Sequence, residues 1–252
     1  MLRRRTCLKP TCPMLVLCLS VLMILLPLAG QARAITTPTV MQANSSNSVS
    51  KSIFYWNFNN GDATGWIPII GWNSETQQPQ YPIACKVVNG QYSLTTCESL
   101  YRLHNFTDLI FSAQVQVVQA ATEPIWGIGF RINPASPAYA SIVAVTGDPY
   151  TLAQGYFFEF VGSSAYLYSC QATCTALASA SPNVNPFATN ILTIVAAGSS
   201  ITGFVNGVKV ISVTDPTFSQ GRISLFSIPN GCSASGCSAV TSNFDNVVAI
   251  ST

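Results

Sequence analysis

The sequence predicts an all-β protein, folded as a two-sheet antiparallel β-sandwich. Three observations support this prediction. Apolar and polar residues alternate in many short segments, β-branched and aromatic residues dominate those segments, and Gly or Pro interrupts the chain about every 8–12 residues. Residues 53–252, about 200 positions, are enough for one such domain.

The individual strands follow from the same alternation. Apolar residues occupy every second position of 111–117, which predicts a strand with one buried face. Further strands are predicted at 126–132, 156–160, 223–228 and 244–250. Strands at 201–205 and 208–213 flank Asn206-Gly207, a pair that accepts positive φ at both positions and therefore predicts a type I′ hairpin turn.

Charged residues are scarce. The chain has 11 Lys and Arg and 9 Asp and Glu among 252 residues, which is 8%, whereas about 25% is usual. A hydrophobic fraction of 48% excludes an intrinsically disordered chain. A formal net charge of +2 provides no basic surface for nucleic acid, so no nucleic-acid partner is expected.

Residues 1–34 have the three parts of a secretory signal peptide. Arginines at 3–5 form a basic start, 14–28 is an apolar run, and Ala-Arg-Ala at 32–34 fits the cleavage pattern. The run is about 15 residues long, shorter than the roughly 20 that span a bilayer, so we expect cleavage. The general secretory route and the twin-arginine route are both open.

Removal of this segment changes the charge balance. Five of the 11 basic residues lie in 1–34, whereas all nine acidic residues follow it, which leaves a net charge of −3. Residues 35–52 are rich in Ser, Thr and Asn and predict a flexible linker before the domain at 53–252. The sequence therefore predicts a secreted or cell-surface protein with no membrane insertion after signal cleavage.

Six cysteines follow the predicted signal peptide, an even number that indicates three disulfides in an exported protein. Their close spacing favours local pairs among the fifteen pairings that six cysteines allow. The predicted disulfides are Cys85–Cys97, Cys170–Cys174 and Cys232–Cys237. A thiolate zinc site is the alternative interpretation, but His104 is the only histidine in the chain.

A set of strand-and-turn motifs lies in order along 53–252. They are 58–66, Asn89-Gly90-Gln91-Tyr92, Gly127-Ile128-Gly129-Phe130-Arg131, Gly155-Tyr156-Phe157-Phe158, 204–223 and Phe244-Asp245-Asn246-Val247. Together they resemble the concanavalin A-like lectin and glucanase family, whose laminin-G-like domains are jelly rolls. The resemblance implies a jelly-roll sandwich in an exported bacterial protein that binds or acts on carbohydrate.

The glucanases of that family place their catalytic carboxylates at alternate positions of one strand. Such spacing puts two acidic groups on one sheet face. None of the nine acidic residues here lies two positions from another, so the glucanase motif is absent. No catalytic residue is predicted, although a pair of carboxylates from different strands is still open.

Candidates for ligand binding come from one charged pair and from loop aromatics. Arg131 and Glu159 alternate with large apolar residues, so both should face away from the core and would meet on an open sheet face. Gly127 and Gly129 would leave room beside Arg131. A structural ion pair is the alternative role. The aromatic candidates for stacking on sugar rings are Trp72, Tyr81, Tyr101, Tyr139 and Tyr150.

Structural calcium is the one cofactor that the resemblance implies. Asp62 and Asp245 stand in oxygen-rich turns and are the candidate ligands. The first and last strands are adjacent in the related family, which would bring these two turns together. Local turn hydrogen bonds are the alternative role for both aspartates.

Three functional hypotheses follow. The leading one is a non-catalytic exported module that binds a polysaccharide or other glycan. The others are a structural or adhesive cell-surface module and a glycan-acting hydrolase with an atypical site. Aromatic and polar groups that converge on one face would favour the first, buried aromatics under a flat face the second, and two carboxylates about 5–10 Å apart the third.

Overall fold

The computed structural model describes residues 51–69, 84–121, 123–134, 153–171, 173–230 and 239–251, all within one compact unit. These residues form 15 β-strands. The described part of the chain contains no helix, and hence none long and apolar enough to cross a membrane. The predicted all-β class is confirmed.

The strands are numbered in chain order. They are β1 (Ser52–Trp56), β2 (Trp66–Ile69), β3 (Ala84–Val88), β4 (Gln91–Thr95), β5 (Cys97–Phe106), β6 (Leu109–Ala120), β7 (Pro124–Pro134), β8 (Ala153–Val161), β9 (Ser164–Cys170), β10 (Cys174–Ala180), β11 (Asn190–Ala197), β12 (Ser200–Val205), β13 (Val208–Thr214), β14 (Gly221–Pro229) and β15 (Val240–Ser251).

The strands form two antiparallel sheets. The eight-stranded sheet has the order β13-β12-β11-β6-β15-β4-β3, with β1 paired to β15. The seven-stranded sheet has the order β10-β9-β8-β7-β14-β5-β2. Strands distant in sequence become neighbours, such as β6 and β15, because the chain crosses repeatedly between the sheets. The adjacency of the first and last strands, β1 and β15, is confirmed.

The hydrophobic core lies between the two sheets and follows the predicted alternation. Fully buried core side chains of β6, β8 and β11 are Phe111, Ala113, Val115, Tyr156, Phe158, Phe160, Leu192 and Ile194. Burial of one such phenylalanine contributes about 1.5–3 kcal/mol to folding. The predicted strand faces therefore become the interior of the sandwich.

Two Asn-Gly pairs form the hairpin turns that their sequence predicts. Asn206 and Gly207, between β12 and β13, have φ of 51° and 79°. Asn89 and Gly90, between β3 and β4, have φ of 50° and 75°. Positive φ at both central residues is the type I′ signature, and its twist matches that of the flanking strands.

Two of the predicted disulfides are confirmed. Cys85–Cys97 joins β3 to β5 and thus links the two sheets, and Cys170–Cys174 closes the turn between β9 and β10. These four cysteines are therefore not zinc ligands. Cys232 and Cys237 lie outside the described residues, as do the predicted signal peptide at 1–34 and positions 35–50 of the predicted linker.

Candidate functional site

The seven-stranded sheet carries two acidic residues in one cross-strand row. Glu98 in β5 pairs with Phe226 in β14, and Phe226 pairs with Gly127 in β7. Gly127 pairs with Glu159 in β8, and Glu159 pairs with Tyr166 in β9. Directly paired residues point to the same side of a sheet, so both carboxylates lie on one face.

This face is turned away from the core. The neighbouring row, shifted by one residue along each strand, belongs to the interior cluster between the sheets. It includes Leu225, Ile128 and Phe158. Alternation then places the Glu98 row on the opposite side. We call this surface the outer face; it consists of Glu98, Phe226, Glu159 and Tyr166 with the adjacent row of Leu100, Ser224, Phe157 and Tyr168.

Glu98 is a buried acid on the outer face. Its side chain is 6% exposed, and neither its Oε1 atom nor the Ser224 hydroxyl has a hydrogen-bond partner of regular geometry among the described residues. Burial raises the pKa of Glu98 to about 7, and the nearby Ser224 hydroxyl opposes this shift only in part. Glu98 therefore carries its proton at mildly acidic pH, where ordinary glutamates are ionised.

Glu159 lies at the other end of the row, beside two tyrosines. It is 4% exposed and pairs directly with Tyr166. Burial raises the pKa of Tyr168, and the carboxylate of Glu159 raises it further. Glu159 is thus close enough to both tyrosines to share one binding surface with them.

Tyr166 and Tyr168 form an aromatic pair on β9. They occupy alternate positions, so both rings point to the outer face, while Leu167 between them enters the core. Their ring centroids lie 5.8 Å apart at an interplanar angle of 28°. Both rings are half-buried and leave part of their surface accessible. Such a partly exposed aromatic pair offers ring surface on which another ring can stack.

An apolar floor supports these groups. Leu100, Ile132, Phe157, Cys170 and Phe226 form a second buried cluster, and Tyr168 packs against it. This cluster fixes the rotamers of the residues around it, because packed side chains have few alternatives.

The two glycines of β7 do not leave the open space that was expected of them. A Cβ atom on Gly127 would meet the carbonyl oxygen of Phe158 and the ring of Phe226. A Cβ atom on Gly129 would meet the hydroxyl of Ser224. The glycines therefore admit neighbouring side chains over β7, and a ligand does not find a vacant channel there.

Arg131 does not lie on the open sheet face, which corrects the expectation from its alternation. It is 0% exposed at one end of the sandwich. Its Nε donates to the carbonyl of Thr107 at 3.0 Å, and its Nη1 donates to those of Gly198 at 2.8 Å and Phe218 at 3.0 Å. Its Nη2 forms an ion pair with Asp108 at 3.3 Å.

The physical reason is a local irregularity in β7. Arg131 has a φ of 51°, and the pairing of β7 with both β8 and β14 shifts register at this point. The shift turns Ile132 to the outer-face cluster and Arg131 to the interior. Gly221 of β14 approaches the backbone of Arg131 so closely that a Cβ atom there would clash. Arg131 is thus a structural tie and does not meet Glu159.

The aromatic candidates have different outcomes. Tyr101 was expected beside a loop, but it lies in β5 and is 7% exposed within the core, where it packs against Trp56 and Trp66. Residues 97–101 are all buried whereas Arg102 and Leu103 are exposed, so this strand lacks the alternation that would have identified Tyr101 as a core residue. Trp72, Tyr81, Tyr139 and Tyr150 lie outside the described residues.

Asp62 and Asp245 make local hydrogen bonds. Asp62 accepts one from the backbone N–H of Thr64 at 2.7 Å, which lowers its pKa. Asp245 accepts one from the N–H of Asn246 at 2.7 Å. Within the described ranges, no three His, Cys, Asp or Glu side chains converge as metal ligands. Calcium at Asp62 and Asp245 stays a prediction.

Sequence reasoning missed the roles of Glu98, Ser224 and the two tyrosines. Spacing along a single strand does not relate Glu98 to Glu159, because only the register of four neighbouring strands places them in one row. The tyrosines did leave a signal, since Tyr166 and Tyr168 alternate with Ala165 and Leu167.

No protein-family model and no curated protein matches the sequence. Solved structures do match it. A laminarinase from Flavobacterium sp. UMI-01 aligns with a TM-score of 0.56 at 11% identity, over 79% of this chain and 99% of that one. A β-1,3-1,4-glucanase (lichenase) from a mouse hindgut metagenome aligns with a TM-score of 0.55 at 14% identity, over 79% and 99%.

A binding module also matches. The carbohydrate binding module CBM66 from Bacillus subtilis aligns with a TM-score of 0.50 at 15% identity, over 73% of this chain and 94% of that one. Identities of this size establish the fold alone. The domain is a concanavalin A-like jelly-roll sandwich, which confirms the fold that the resemblance implied.

Proposed function

We propose that this domain binds carbohydrate on the outer face of its seven-stranded sheet. The observation that carries the proposal is the convergence of the stacked Tyr166 and Tyr168 rings with the buried carboxylate of Glu159. Partly exposed rings of this kind stack on the apolar faces of sugars.

The structural neighbours support the same ligand class. Their names describe a carbohydrate binding module and enzymes that act on β-1,3- and β-1,3-1,4-linked glucans. We therefore choose laminarin, mixed-linkage β-glucan and, because an alginate lyase also matches, alginate as the first ligands to test.

The experiment measures binding of the three polysaccharides by calorimetry. We expect the chain to bind at least one of them, and Tyr166→Ala and Tyr168→Ala each to weaken that binding about 3- to 10-fold, since one aromatic contact is worth about 0.5–1.5 kcal/mol. Tyr55→Ala is the matched control, because Tyr55 is 55% exposed and belongs to β1 of the other sheet. The proposal would be refuted if the chain bound none of the three polysaccharides, or if Tyr55→Ala weakened binding as much as the tyrosine variants of the outer face.

A second candidate is a glycan-acting hydrolase, and Glu98 is the observation that favours it. A carboxyl with a pKa of about 7 can serve as a general acid, and Glu159 on the same row would be the base. Three strand-to-strand steps of about 4.8 Å separate the two residues, so their Cα atoms lie about 14 Å apart. That separation exceeds the roughly 6.5–9.5 Å between the carboxyl groups of inverting glycosidases, so this candidate requires the two side chains to lean toward each other.

Release of reducing ends from the same polysaccharides separates the two candidates. A hydrolase predicts release by the natural chain and its loss in Glu98→Gln, with binding retained. A binding module predicts no release from any polysaccharide that it binds. The second result would leave the proposed binding function intact and remove the hydrolase.

We also propose that the protein is exported. The two disulfides support this, because such bonds persist in oxidising compartments. N-terminal sequencing of the chain recovered from a culture medium tests the expected cleavage after Ala34. Recovery of the intact chain in the cytoplasm alone would contradict export.

A further inference from the structure

A polar groove lies at one edge of the sandwich, apart from the outer face. It has a volume of about 360 Å³ and opens between the β9–β10 hairpin and the loop that follows β13. Its polar lining residues are Ser169, Gln171, Thr173, Thr175, Asp215 and Thr217. Neither tyrosine of the outer face belongs to the lining, because Tyr166 and Tyr168 point to the other side of β9.

One wall of the groove is fixed by a disulfide. Cys170 and Cys174 are bonded across the turn between β9 and β10, and Cys170 is fully buried. Ser169 pairs with Thr175 directly beside this bond, so their two hydroxyl groups are presented side by side. A covalently closed hairpin holds such groups without a large loss of conformational freedom when a ligand binds.

The opposite wall is fixed by buried side chains. The hydroxyl of Tyr156, a core residue, donates to the carboxylate of Asp215 and accepts from the N–H of Phe218 at 3.1 Å. Asp215 also accepts a hydrogen bond from the N–H of Thr217 at 2.9 Å. Arg131 donates a hydrogen bond to the carbonyl of Phe218 at 3.0 Å. The loop is therefore attached to the core at both Asp215 and Phe218.

The chemistry of the lining restricts the ligand. Four lining residues offer hydroxyl groups and one an amide, and Asp215 is the single charged residue among those that line the described groove. Hydrogen bonds to Tyr156 and Thr217 keep the pKa of Asp215 low despite its partial burial, so it is an anion at neutral pH. An anionic ligand is thus disfavoured. Hydroxyl and amide groups match a neutral polyhydroxylated ligand, whose hydroxyls both donate and accept.

We propose that this groove is a binding site for a single neutral sugar ring or a similar polyol. Its volume is at the lower end of the roughly 300–1,000 Å³ of small-molecule sites, which suits one ring better than a chain. Asp215 accepts hydrogen bonds from two ligand hydroxyls, and Ser169, Thr175 and Thr217 complete the polar contacts. The site does not depend on the binding function proposed for the outer face.

The test is an NMR titration of the isotope-labelled full chain with methyl glucoside, methyl galactoside, methyl mannoside and N-acetylglucosamine at millimolar concentrations. We expect at least one sugar to shift the amide signals of Gln171, Thr175 and Thr217 in a saturable manner. The double variant Thr175→Val/Thr217→Val, which preserves side-chain shape, should weaken this binding about tenfold or more, because two hydrogen bonds are lost.

Two controls make the titration decisive. Thr202→Val replaces a half-buried threonine on the eight-stranded sheet and should leave the affinity unchanged. Glu123→Gln alters an exposed glutamate outside the groove and should also leave it unchanged. The proposal is overturned if no sugar shifts the groove signals, if the double variant binds as the natural chain does, or if Ca²⁺ shifts the signals and the sugars do not.

Discussion

Two regions of this molecule bury charged side chains in opposite ways. At one end of the sandwich, the guanidinium of Arg131 makes four contacts, with three backbone carbonyls and with Asp108. On the outer face, Glu98 and Ser224 each bury a polar atom that has no regular hydrogen-bond partner among the described residues.

The two kinds of burial have different consequences for the stability of the fold. A buried charge with all of its partners holds the fold together, and its removal leaves those partners unsatisfied. A buried polar atom without a partner instead lowers stability by about 1–3 kcal/mol, and folded proteins contain few of them. The buried carboxyl of Glu98 is therefore a candidate for a role other than stability.

Replacement of Arg131 tests its role in stabilising the fold and should cause the largest loss in the free energy of unfolding. Arg131→Met leaves the carbonyls of Thr107, Gly198 and Phe218 without their donor. We expect the free energy of unfolding in urea to fall by about 3–5 kcal/mol. Arg102→Met is the control; its side chain is exposed on β5, and its loss should change stability by less than about 0.5 kcal/mol. Similar effects of the two variants would contradict the role assigned to Arg131.

The pH dependence of stability tests the role assigned to the buried carboxyl of Glu98. Glu98 has a pKa of about 7 when folded and about 4.5 as an ordinary glutamate, so between these values the folded protein holds a proton that the unfolded chain has lost. Its contribution is fully present below pH 4.5 and disappears as the pH rises through 7. The free energy of unfolding should therefore fall by roughly 3 kcal/mol across this window and then level off.

Two variants identify the residue responsible for that slope. Glu98→Gln keeps the shape of the side chain but cannot ionise, so the slope between pH 4.5 and 7 should largely vanish. Glu123→Gln alters an exposed glutamate and should retain the slope. A slope that survives in Glu98→Gln would show that another group produces it.

A smaller effect on stability is expected from replacing Tyr156, which contacts Phe218 near Arg131 and Asp215 in the edge groove. Tyr156→Phe removes one hydroxyl that contacts both Asp215 and the N–H of Phe218. Thermal unfolding should show a loss of about 1–2 kcal/mol. Tyr55→Phe on the other sheet removes a hydroxyl whose hydrogen bond to Asn246 is exposed to solvent, and it should change stability by less than about 0.5 kcal/mol. An unchanged Tyr156→Phe would mean that the loop after β13 is held by other contacts.

Much of the fold could be predicted from local sequence. Alternation at 111–117 and 156–160 identifies strands because one face of each is buried, and Asn206-Gly207 identifies its turn because few residues accept its backbone angles. Close spacing was also enough to pair Cys85 with Cys97 and Cys170 with Cys174.

The site could not be predicted in the same way, because it depends on register between distant strands. Glu98 and Glu159 are 61 positions apart in the numbering, and only the order β5-β14-β7-β8 places them in one row. For Arg131, the direction of the side chain could not be predicted either. Its alternation pointed to the outer face, but a single residue with positive φ reverses the side to which it points.

Mapping of a bound glycan by NMR tests the central claim, that the outer face is the binding surface, most directly. The isotope-labelled chain would be titrated with a short oligosaccharide of whichever polysaccharide it binds. We predict that the shifted amide signals cluster at Glu159, Tyr166 and Tyr168 and that those of β6 and β11 in the eight-stranded sheet stay in place. Shifts confined to β6 and β11 would contradict the claim and place the binding surface on the opposite side of the sandwich.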